Sequence, residues 1–448
     1  MSRRTGAGLP FVAAALAAVC LAVRAAHAAT NYVWSGGSHS APYDTWTTAA
    51  TNIQDAVDYA CTNYPAYDTV LVTNGTYNIT NQVSATNGIT VRSVNGADVT
   101  TVQRTGTAEM RIFQLTHAGA VLDGFTIRNG YAVSGAGVYM TAGTIANCVV
   151  RDNLVKDWAA MNGVGIHMAG GTVTNCVIRN NSSGAFFNGV GGGVYITGGL
   201  LIRSSVVSNE YFTNQSGMGI WASGSGVVIS HCVISHNKET RDGSAGGVYL
   251  AGGAKLRNCL VRANSVAGGS YGGVYMTGAG TLVESCTIVE NSSPATGGGL
   301  YMAGGAVSNS IVYFNAAGSG PNYVVAGGSG LAYSCATPLP AGTGNTDLDP
   351  QFANRPGGNL HVLVGPARNT GLVLPWMSAS VDADAHARLD FSGKVDMGAY
   401  QTQGGALACS LSVDEPRFGI VPFSATFSSQ VDGTNTAIRS SGPPLSAT

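Results

Sequence analysis

Residues 163–181 read GVGIHMAGGTVTNCVIRNN, and residues 135–153 read GAGVYMTAGTIANCVVRDN. The two stretches agree in their glycines, in their aliphatic positions and in a closing segment that runs from Asn-Cys to Asn. Seven units share an opening of glycines followed by an aliphatic-aromatic-aliphatic triplet, with the central ring at Tyr139, His167, Tyr195, Trp221, Tyr249, Tyr275 and Tyr301. A period of 26 to 28 residues indicates a solenoid, in which each repeat is one coil stacked on the next.

The closing segment of each unit has the form N/S-C-x-[V/I]-x-x-N. Alternate residues of a strand face the same side, so the aliphatic residues around each ring should point inward and the ring outward. In the closing segment the cysteine and the residue two places later, such as Cys148 and Val150, should point inward. One unit is irregular: SSVVSNE from Ser204 puts Ser205 at the cysteine position and leaves Asn209 one place early.

Two short strands and glycine turns within each period leave no room for crossover helices, so coils must pair in parallel about 4.8 Å apart. The sequence therefore predicts an all-β chain, a single-stranded right-handed parallel β-helix with a short N-terminal capping helix. The closing asparagine should tolerate left-handed backbone and hydrogen-bond its copies above and below. This asparagine ladder comprises Asn153, Asn181, Asn237, Asn264, Asn291 and Asn315.

The capping helix is predicted within residues 46–60. Ile53, Ala56, Val57 and Ala60 share one helical face there, which is the pattern of a short amphipathic helix. Such a helix would cover the first coil, whose strand edges would otherwise be unpaired.

The first residues are typical of a signal peptide. Residues 1–29 contain Arg3 and Arg4, an apolar run and an Ala-x-Ala site, with cleavage expected near Ala28 or Ala29. The apolar run is too short to span a bilayer, and we expect no transmembrane segment in the mature chain. The sequence thus predicts export, to the extracellular space or the outer cell surface.

The remaining chain divides into four parts. We expect an N-terminal cap over residues 30–66 and β-helix repeats over 67–336. The repeat then fails, and the Pro-, Gly- and Asp-rich residues 337–403 are predicted to form a C-terminal cap or anchor-type segment. Residues 404–448 are interpreted as the start of a truncated β-sandwich or a disordered tail.

Several motifs resemble bacterial surface proteins. The GG-[VL]-Y units with a strand ending in Asn resemble polymorphic outer membrane protein repeats, although the alanine of the usual GGA motif is rare here. The fold is similar to that of pectate lyases. Residues 349–352, 368–371 and 395–400 resemble a choice-of-anchor Q C-terminal segment, and PRFGIVPFSATFSS from Pro416 resembles the first strands of a PKD or Ig-like domain. These resemblances imply a surface-displayed, adhesin-like protein.

Two repeated rows have a functional and a structural interpretation. The cysteine row could bind metal or form disulfides, but parallel side chains make poor disulfide geometry, and small buried core residues are the favoured interpretation. The outward rings could bind sugars, yet rings stacked at the coil spacing hide their faces, which favours a stabilising stack. The cysteine row comprises Cys148, Cys176, Cys232, Cys259 and Cys286.

The loops between each closing asparagine and the next glycines are better binding candidates, because they are irregular and lie along one edge of the solenoid. A binding face and ordinary loop decoration are equally compatible with them. The candidate residues are Asp157, Trp158, Phe187, Glu210, Tyr211, Glu239, Arg241 and Asp242.

Enzyme signatures are weak. Lyases and hydrolases of this fold need convergent carboxylates, and the strand positions here are poor in them. No cofactor is predicted. The aspartates between residues 347 and 396 could hold Ca²⁺, although capping turns use Asp as well. No catalytic or metal-ligating residue is assigned.

Composition restricts the partners. A net charge of −1 and 10% charged residues argue against nucleic acid as a partner. We expect a monomer that acts as a non-catalytic binding module for polysaccharide or a cell-surface ligand. A polysaccharide lyase or glycoside hydrolase with its site on the loop edge, and a structural spacer, are the alternatives.

Overall fold

The computed structural model describes residues 28–155, 161–183, 189–211, 216–241, 243–327 and 330–403, and three strands between residues 408 and 441. The chain winds into a parallel solenoid built from three sheets, which we name A, B and C. The predicted all-β parallel solenoid with one helix near its N-terminus is confirmed. The predicted signal peptide lies outside the described residues, apart from residues 28 and 29.

Each coil contributes one strand to each sheet, in the order C, A, B. Sheet A has twelve strands: Ala29–Val33, Tyr67–Val72, Thr90–Ser93, Val121–Asp123, Thr144–Ala146, Thr172–Thr174, Leu200–Ile202, Val228–Ser230, Lys255–Arg257, Leu282–Glu284, Ala306–Ser308 and Gly330–Ala332. Sheet B has eleven: Gly75–Ile79, Thr100–Arg104, Thr126–Arg128, Val149–Arg151, Val177–Arg179, Ser205–Val207, Val233–Ser235, Leu260–Arg262, Thr287–Val289, Ile311–Tyr313 and Cys335–Ala336. Sheet C has ten: Val83–Ala85, Phe113–Leu115, Val138–Met140, Ile166–Met168, Val194–Ile196, Ile220–Ser223, Val248–Ala251, Val274–Met276, Leu300–Met302 and Tyr323–Val325.

The expectation of two strands per coil is therefore wrong, because sheet A adds a third. Its strands in the repeats, such as Thr144–Ala146, are only three residues long and bury one central residue each. A fourth, discontinuous ladder follows sheet B along the edge. Its strands are Tyr131–Ala132 with Leu154–Val155, and Glu210–Tyr211 with Lys238–Glu239 and Ser265–Val266. A separate pair, Met161–Asn162 with Gly189–Val190, precedes sheet C. Three antiparallel strands, Ala408–Val413, Phe423–Val431 and Thr434–Ser441, form a separate sheet.

The solenoid interior is a continuous apolar core. Val138 and Met140 on sheet C and Cys148 and Val150 around sheet B are all essentially inaccessible to solvent, as the alternation of the strands predicts. Identical positions of successive coils stack directly, for example Val138 on Ile166.

Two turn residues of each repeat adopt left-handed backbone. One precedes sheet B, as at Asn147 (φ 53°), and the other follows it, as at Asp152 (φ 53°). The expectation that the closing asparagine is itself left-handed is wrong. The residue before it makes the turn, and this directs the asparagine side chain inward, so that Asn153 is buried.

The buried asparagines form a continuous ladder. The Nδ2 of Asn181 donates to the Oδ1 of Asn209 in the next coil at 2.9 Å and to the carbonyl of Val150 in the previous coil at 3.1 Å. Asn209 in turn donates to Asn237 at 2.9 Å, so it is in register and not one place early. The irregular unit starts at Arg203, a left-handed residue in place of the usual asparagine, which puts Ser204 at the cysteine position.

Serine and cysteine make equivalent contacts in the cysteine row. The backbone N–H of Cys176 donates to the Oγ of Ser204 at 3.1 Å, and that hydroxyl donates to the carbonyl of Ile202 at 2.9 Å. The thiol of Cys176 likewise donates to the carbonyl of Thr174 at 3.2 Å. The described cysteines are free thiols. The row therefore uses small side chains that accept one hydrogen bond and donate another.

The N-terminal helix spans Ile53–Thr62, shorter than the predicted stretch. Asn52 caps it by accepting the backbone N–H of Asp55 at 2.9 Å. Ile53, Ala56, Val57 and Ala60 are fully buried, as predicted, against the first coils. Among the described residues, no helix has the length and apolar character needed to cross a bilayer.

The segment from residue 337 first closes the last coil and then returns along sheet B. The backbone N–H of Tyr333 donates to the carbonyl of Thr343 at 2.8 Å at the end of the solenoid. Further on, the Nδ2 of Asn309 donates to the carbonyl of Leu372 at 2.7 Å. Leu260 and Val289 are buried under Leu360. We call residues 349–403 the returning segment.

His231 joins the returning segment to the solenoid. Its Nε2 lies 2.9 Å from the carbonyl of Val381. Burial lowers the pKa of His231 below its ordinary value, and the nearby Arg203 and Arg388 act in the same direction, whereas the hydrogen bond to Val381 and the charge of Asp382 oppose the shift. This contact between the returning segment and the solenoid, which we call the seam, therefore favours the neutral form of the His231 imidazole.

The asparagine ladder predicts a large cost for removing one member. Asn237→Ala should lower the free energy of unfolding by about 2–5 kcal/mol, because several buried groups in neighbouring coils lose their partners at once. Denaturant unfolding followed by circular dichroism measures this. Asn95→Ala, at an exposed turn, is the control and should change stability by less than about 0.5 kcal/mol. If the two substitutions lowered the free energy of unfolding equally, the stabilising role of the ladder would be contradicted.

In the cysteine row, Cys176→Ser should be tolerated better than Cys176→Ala. Serine keeps both hydrogen bonds, as Ser204 does, whereas alanine leaves the buried N–H of Cys148 without its acceptor. We expect alanine to cost about 1–2 kcal/mol more than serine in the same unfolding measurement. A larger loss of stability for Cys176→Ser than for Cys176→Ala would show that the hydrogen bonds of this row do not stabilise the fold.

The seam at His231 predicts that stability falls on acidification. The folded-state pKa is lowered, so the unfolded chain binds more protons between that pKa and about 6.5, and the stabilisation present above 6.5 is lost as pH falls through the folded pKa. His231→Gln should flatten this part of the pH profile of the melting temperature. His117→Gln, at an exposed position, should leave it unchanged. If His231→Gln kept the wild-type slope of melting temperature against pH, this histidine would be ruled out as the cause of the loss of stability in acid.

Candidate functional site

The edge between sheets B and C, which we call the loop edge, contains the predicted binding residues that the structure describes. Glu210 is exposed there, in a strand that pairs in parallel with Lys238–Glu239. Tyr211 belongs to the same short strand, but its side chain lies outside the described part. Four other predicted residues fall outside the described ranges: Asp157, Trp158, Phe187 and Asp242.

Glu239 and Arg241 have different environments. Glu239 is fully buried, and its Oε1 accepts the backbone N–H of Arg241 at 2.6 Å. This carboxylate therefore stabilises the start of its loop and is not presented to a ligand. Arg241 is exposed. The described surface of the loop edge thus contains Glu210 and Arg241 from the predicted set.

A row of arginines lies on the outward face of sheet B, immediately before the loop edge. Arg128, Arg151 and Arg179 end three consecutive strands and pair directly with one another. Neighbouring strands are about 4.8 Å apart, and like charges in facing positions destabilise a sheet. An anion that contacted all three residues, which we call the arginine row, would relieve that repulsion.

Few protein groups neutralise the arginine row. Arg128 donates to the Oε1 of Gln103 at 2.8 Å, which is a neutral acceptor. Arg151 forms an ion pair with Asp152. Arg179 makes no hydrogen bond or ion pair with any residue in the described ranges. All three side chains are partly exposed. One of the three charges is therefore paired, and the others remain available to a ligand.

A groove of about 520 Å³ adjoins the arginine row on the side of the loop edge. Its floor is formed by the left-handed turn residues Asn129, Asp152 and Asn180 of successive coils. Arg104 closes one end and donates to the carbonyl of Asn129 at 2.9 Å. The row and groove together present four arginines against one aspartate, so this surface is positive although the whole chain carries a net charge of −1.

The returning segment meets sheet B farther along the solenoid. At this contact a recess of about 330 Å³ is lined by Arg203, His231, Asp382 and Asp384 among others. The imidazole of His361, 2.7 Å from Asp384, holds the pKa of that carboxyl below its ordinary value. The arginine row lies in the part of sheet B that precedes this contact and is open to solvent.

The C-terminal aspartates shape turns of the returning segment. Asp382 accepts the backbone N–H groups of Asp384 and His386, and Asp396 accepts that of Thr402 at 2.7 Å. Asp390 makes equivalent bonds. Among the described residues, no three His, Cys, Asp or Glu side chains are grouped to hold a metal ion. This is the turn-capping arrangement that the sequence offered as the alternative to a Ca²⁺ site.

The outward rings of sheet C stack on one another. Tyr195 and Trp221 have ring centroids 4.6 Å apart and an interplanar angle of 8°, and Trp221 and Tyr249 are 5.6 Å apart at 5°. His167 lies between two tyrosines in the same stack. Each ring covers the face of its neighbour, so the row contributes to stability and offers little ring face to a sugar.

The arginine row was missed in the sequence, although its signal is present there. An arginine occupies the same place in TIRNG, NCVVRDN and NCVIRNN, just before the left-handed turn residue. The carboxylates and irregular loops that the sequence offers as candidates do not include these positions. A like charge repeated at one position of adjacent coils is the sign that would have identified the row.

Comparisons with solved structures show the fold. A crystal structure of a pectate lyase superimposes with a TM-score of 0.51 at 13% identity, covering 84% of this chain and 98% of that one. A tailspike protein, Dettilon tailspike, aligns with a TM-score of 0.37 at 11% identity, covering 91% of this chain and 79% of the other. No curated protein matches the sequence.

A family model described as the right-handed β-helix region matches residues 111–288 and 162–334, which together span half of the chain. This confirms the predicted right-handed, pectate-lyase-like β-helix. The resemblances to polymorphic outer membrane protein repeats and to a choice-of-anchor segment stay predictions. The coil geometry, the family match and the structural similarity agree, and the chain belongs to the right-handed β-helix family.

Proposed function

We propose that this protein is an exported, non-catalytic β-helix that binds an acidic polysaccharide along the arginine row. The observation that carries the proposal is the stacking of three arginines in adjacent coils with a single carboxylate partner. Their mutual repulsion is a cost to the fold, which an extended polyanion would offset.

The chemistry of the row suits carboxylated sugars. A guanidinium binds a carboxylate through two parallel hydrogen bonds, and these charge-assisted bonds are stronger than neutral ones. A polysaccharide repeats its charges along a line, as the coils repeat the arginines. The pectate lyase that shares this fold acts on pectate, which is a polycarboxylate sugar chain.

The surroundings of the row favour a long ligand. The groove beside it is open and polar, with asparagine, serine and aspartate side chains that offer hydrogen bonds to hydroxyl groups. It continues towards the loop edge, where Glu210 and Arg241 are placed. The signal-peptide pattern and the surface-protein resemblances in the sequence support an adhesin-like role outside the cell.

The test is affinity for a polygalacturonate oligomer. Arg128→Ala and Arg179→Ala should each weaken binding at least about tenfold, because each removes a charge-assisted contact of about 1.5–3 kcal/mol. Affinity should also fall as salt rises. Arg92→Ala, which removes an exposed arginine from sheet A, is the matched control and should leave affinity unchanged. Isothermal titration calorimetry measures all of these.

Three results would contradict the proposal. Equal affinity of wild-type and Arg179→Ala chains would remove the row from the site. Tighter binding of single-stranded DNA than of polygalacturonate would point to a nucleic-acid partner instead. Release of unsaturated or reducing ends from the oligomer would show catalysis and favour the lyase or hydrolase alternative.

A further inference from the structure

The first coil exposes a second surface, at the N-terminal end of the solenoid. In the first strand of sheet A, Asn31 and Val33 point inward and are fully buried, whereas Tyr32 points outward. Trp34 follows directly and is 42% exposed, and Trp46 is 37% exposed. We call Tyr32, Trp34 and Trp46 the aromatic platform.

The platform differs from the stacked rings of sheet C. Tyr32 and Trp46 have ring centroids 4.4 Å apart but are tilted by 59°, so neither ring covers the whole face of the other. In sheet C the tryptophan of the stack is parallel to both neighbours, with interplanar angles of 8° and 5°. The platform therefore leaves aromatic surface open, whereas the stack does not.

The indole of Trp34 is held in place by the backbone. A Cβ added to Gly36 would lie 2.6 Å from its Cζ2 atom, so the ring packs directly against this glycine. The backbone of Trp34 is bonded on both sides, with its N–H donating to Ala50 at 2.9 Å and its carbonyl accepting from Gly37 at 3.0 Å. One side of the indole is thus supported while much of the residue faces solvent, and this lowers the ordering cost of binding.

Negative charge outweighs positive charge around the platform, whose neighbouring cation, Arg92, lies two strands from Tyr32 in the same outward row of sheet A. Residues 28–91 contain no lysine or arginine, and they carry the carboxylates of Asp44, Asp55, Asp58 and Asp68. The rim next to Trp46 is polar, with the hydroxyls of Thr45 and Thr48 2.7 Å apart and Asp44 exposed. This edge supplies hydrogen-bond donors and acceptors to hydroxyl groups, and its negative charge repels carboxylates.

We propose that the aromatic platform is a binding site for neutral, β-linked pyranose chains. A sugar ring with equatorial hydroxyls presents a face of C–H groups, which packs on the open indole surface, while its hydroxyls meet the polar rim. The platform goes beyond the acidic-glycan function of the arginine row, since it lies on a different sheet and has the opposite charge preference.

The experiment titrates cellohexaose, a neutral β-1,4-linked glucose hexamer, into the chain without its predicted signal peptide. Isothermal titration calorimetry should detect binding that changes little with salt, because no charge is neutralised. Trp34→Ala and Trp46→Ala should each weaken it at least about tenfold, because each removes one aromatic ring from the contact with the sugar. Trp34→Phe, which keeps a smaller ring, should fall between.

Gly36→Ala tests the orientation of the indole without removing it. The added methyl displaces the ring, so binding of cellohexaose should weaken while the circular dichroism spectrum and melting temperature report an intact solenoid. Phe391→Ala, which removes a 78% exposed ring from the returning segment, is the control and should bind as the wild type does. Arg151→Ala should also keep cellohexaose binding, which separates this site from the arginine row.

Two outcomes would overturn the platform as a sugar site. The first is no binding of cellohexaose at millimolar concentrations, or equal affinity in folded Trp34→Ala. The second is self-association, in which sedimentation shows a dimer for the wild type and a monomer for Trp34→Ala, because the rings would then be an interface between copies. Either outcome leaves the polygalacturonate measurements on the arginine row unaffected.

Discussion

Parallel hydrogen bonding between consecutive coils governs the architecture of the solenoid. Because every strand of sheets A, B and C pairs in parallel with the same strand of the next coil, a position in one repeat lies directly above its copy about 4.8 Å away. Each position therefore becomes a row, and each row must be acceptable when stacked on itself. Aliphatic residues, asparagine amides and small thiols or hydroxyls meet this condition inside, and flat rings meet it outside.

The same constraint makes the arginine row informative. A stack of like charges is the arrangement that this geometry penalises most directly, yet Arg128, Arg151 and Arg179 occupy facing positions. A later coil avoids the penalty. Arg262 faces Ser235 and Val289 in the neighbouring coils, and it pairs with Glu290 at 2.6 Å. The unpaired charges are thus confined to the part of sheet B that the chain leaves open.

The returning segment divides the solenoid into covered and open surfaces. It uses buried polar groups to do so, since Arg388 is fully buried and donates to the carbonyls of Asp396 and Gly398 at 2.6 and 2.8 Å. Burial lowers the pKa of Arg388 to about 10. The two candidate ligand surfaces lie on the coils before the segment meets the solenoid, where one surface is basic and the other is aromatic within an acidic region.

Structural features that depend only on the repeat period and on the alternation of side chains along a strand could be predicted from the sequence. The inward pair Cys148 and Val150 and the buried face of the N-terminal helix follow from local patterns that neighbouring copies reinforce. Sheet A could not be found in this way, because a three-residue strand with one inward residue leaves no alternation to detect. Asn209 was misplaced for a related reason, as Arg203 substitutes for the asparagine that marks the start of the other units.

The repeating residues specify the solenoid, its coil length and the residue rows inside it, because each coil repeats the same short-range pattern. Which outward rows are exposed depends instead on long-range contacts, such as that between Asn309 and Leu372, which no repeat encodes. The tertiary structure also decides that Glu239 is buried and that the indole of Trp34 rests on Gly36. Stacking is a local property of the repeat, whereas accessibility depends on where the non-repeating chain returns.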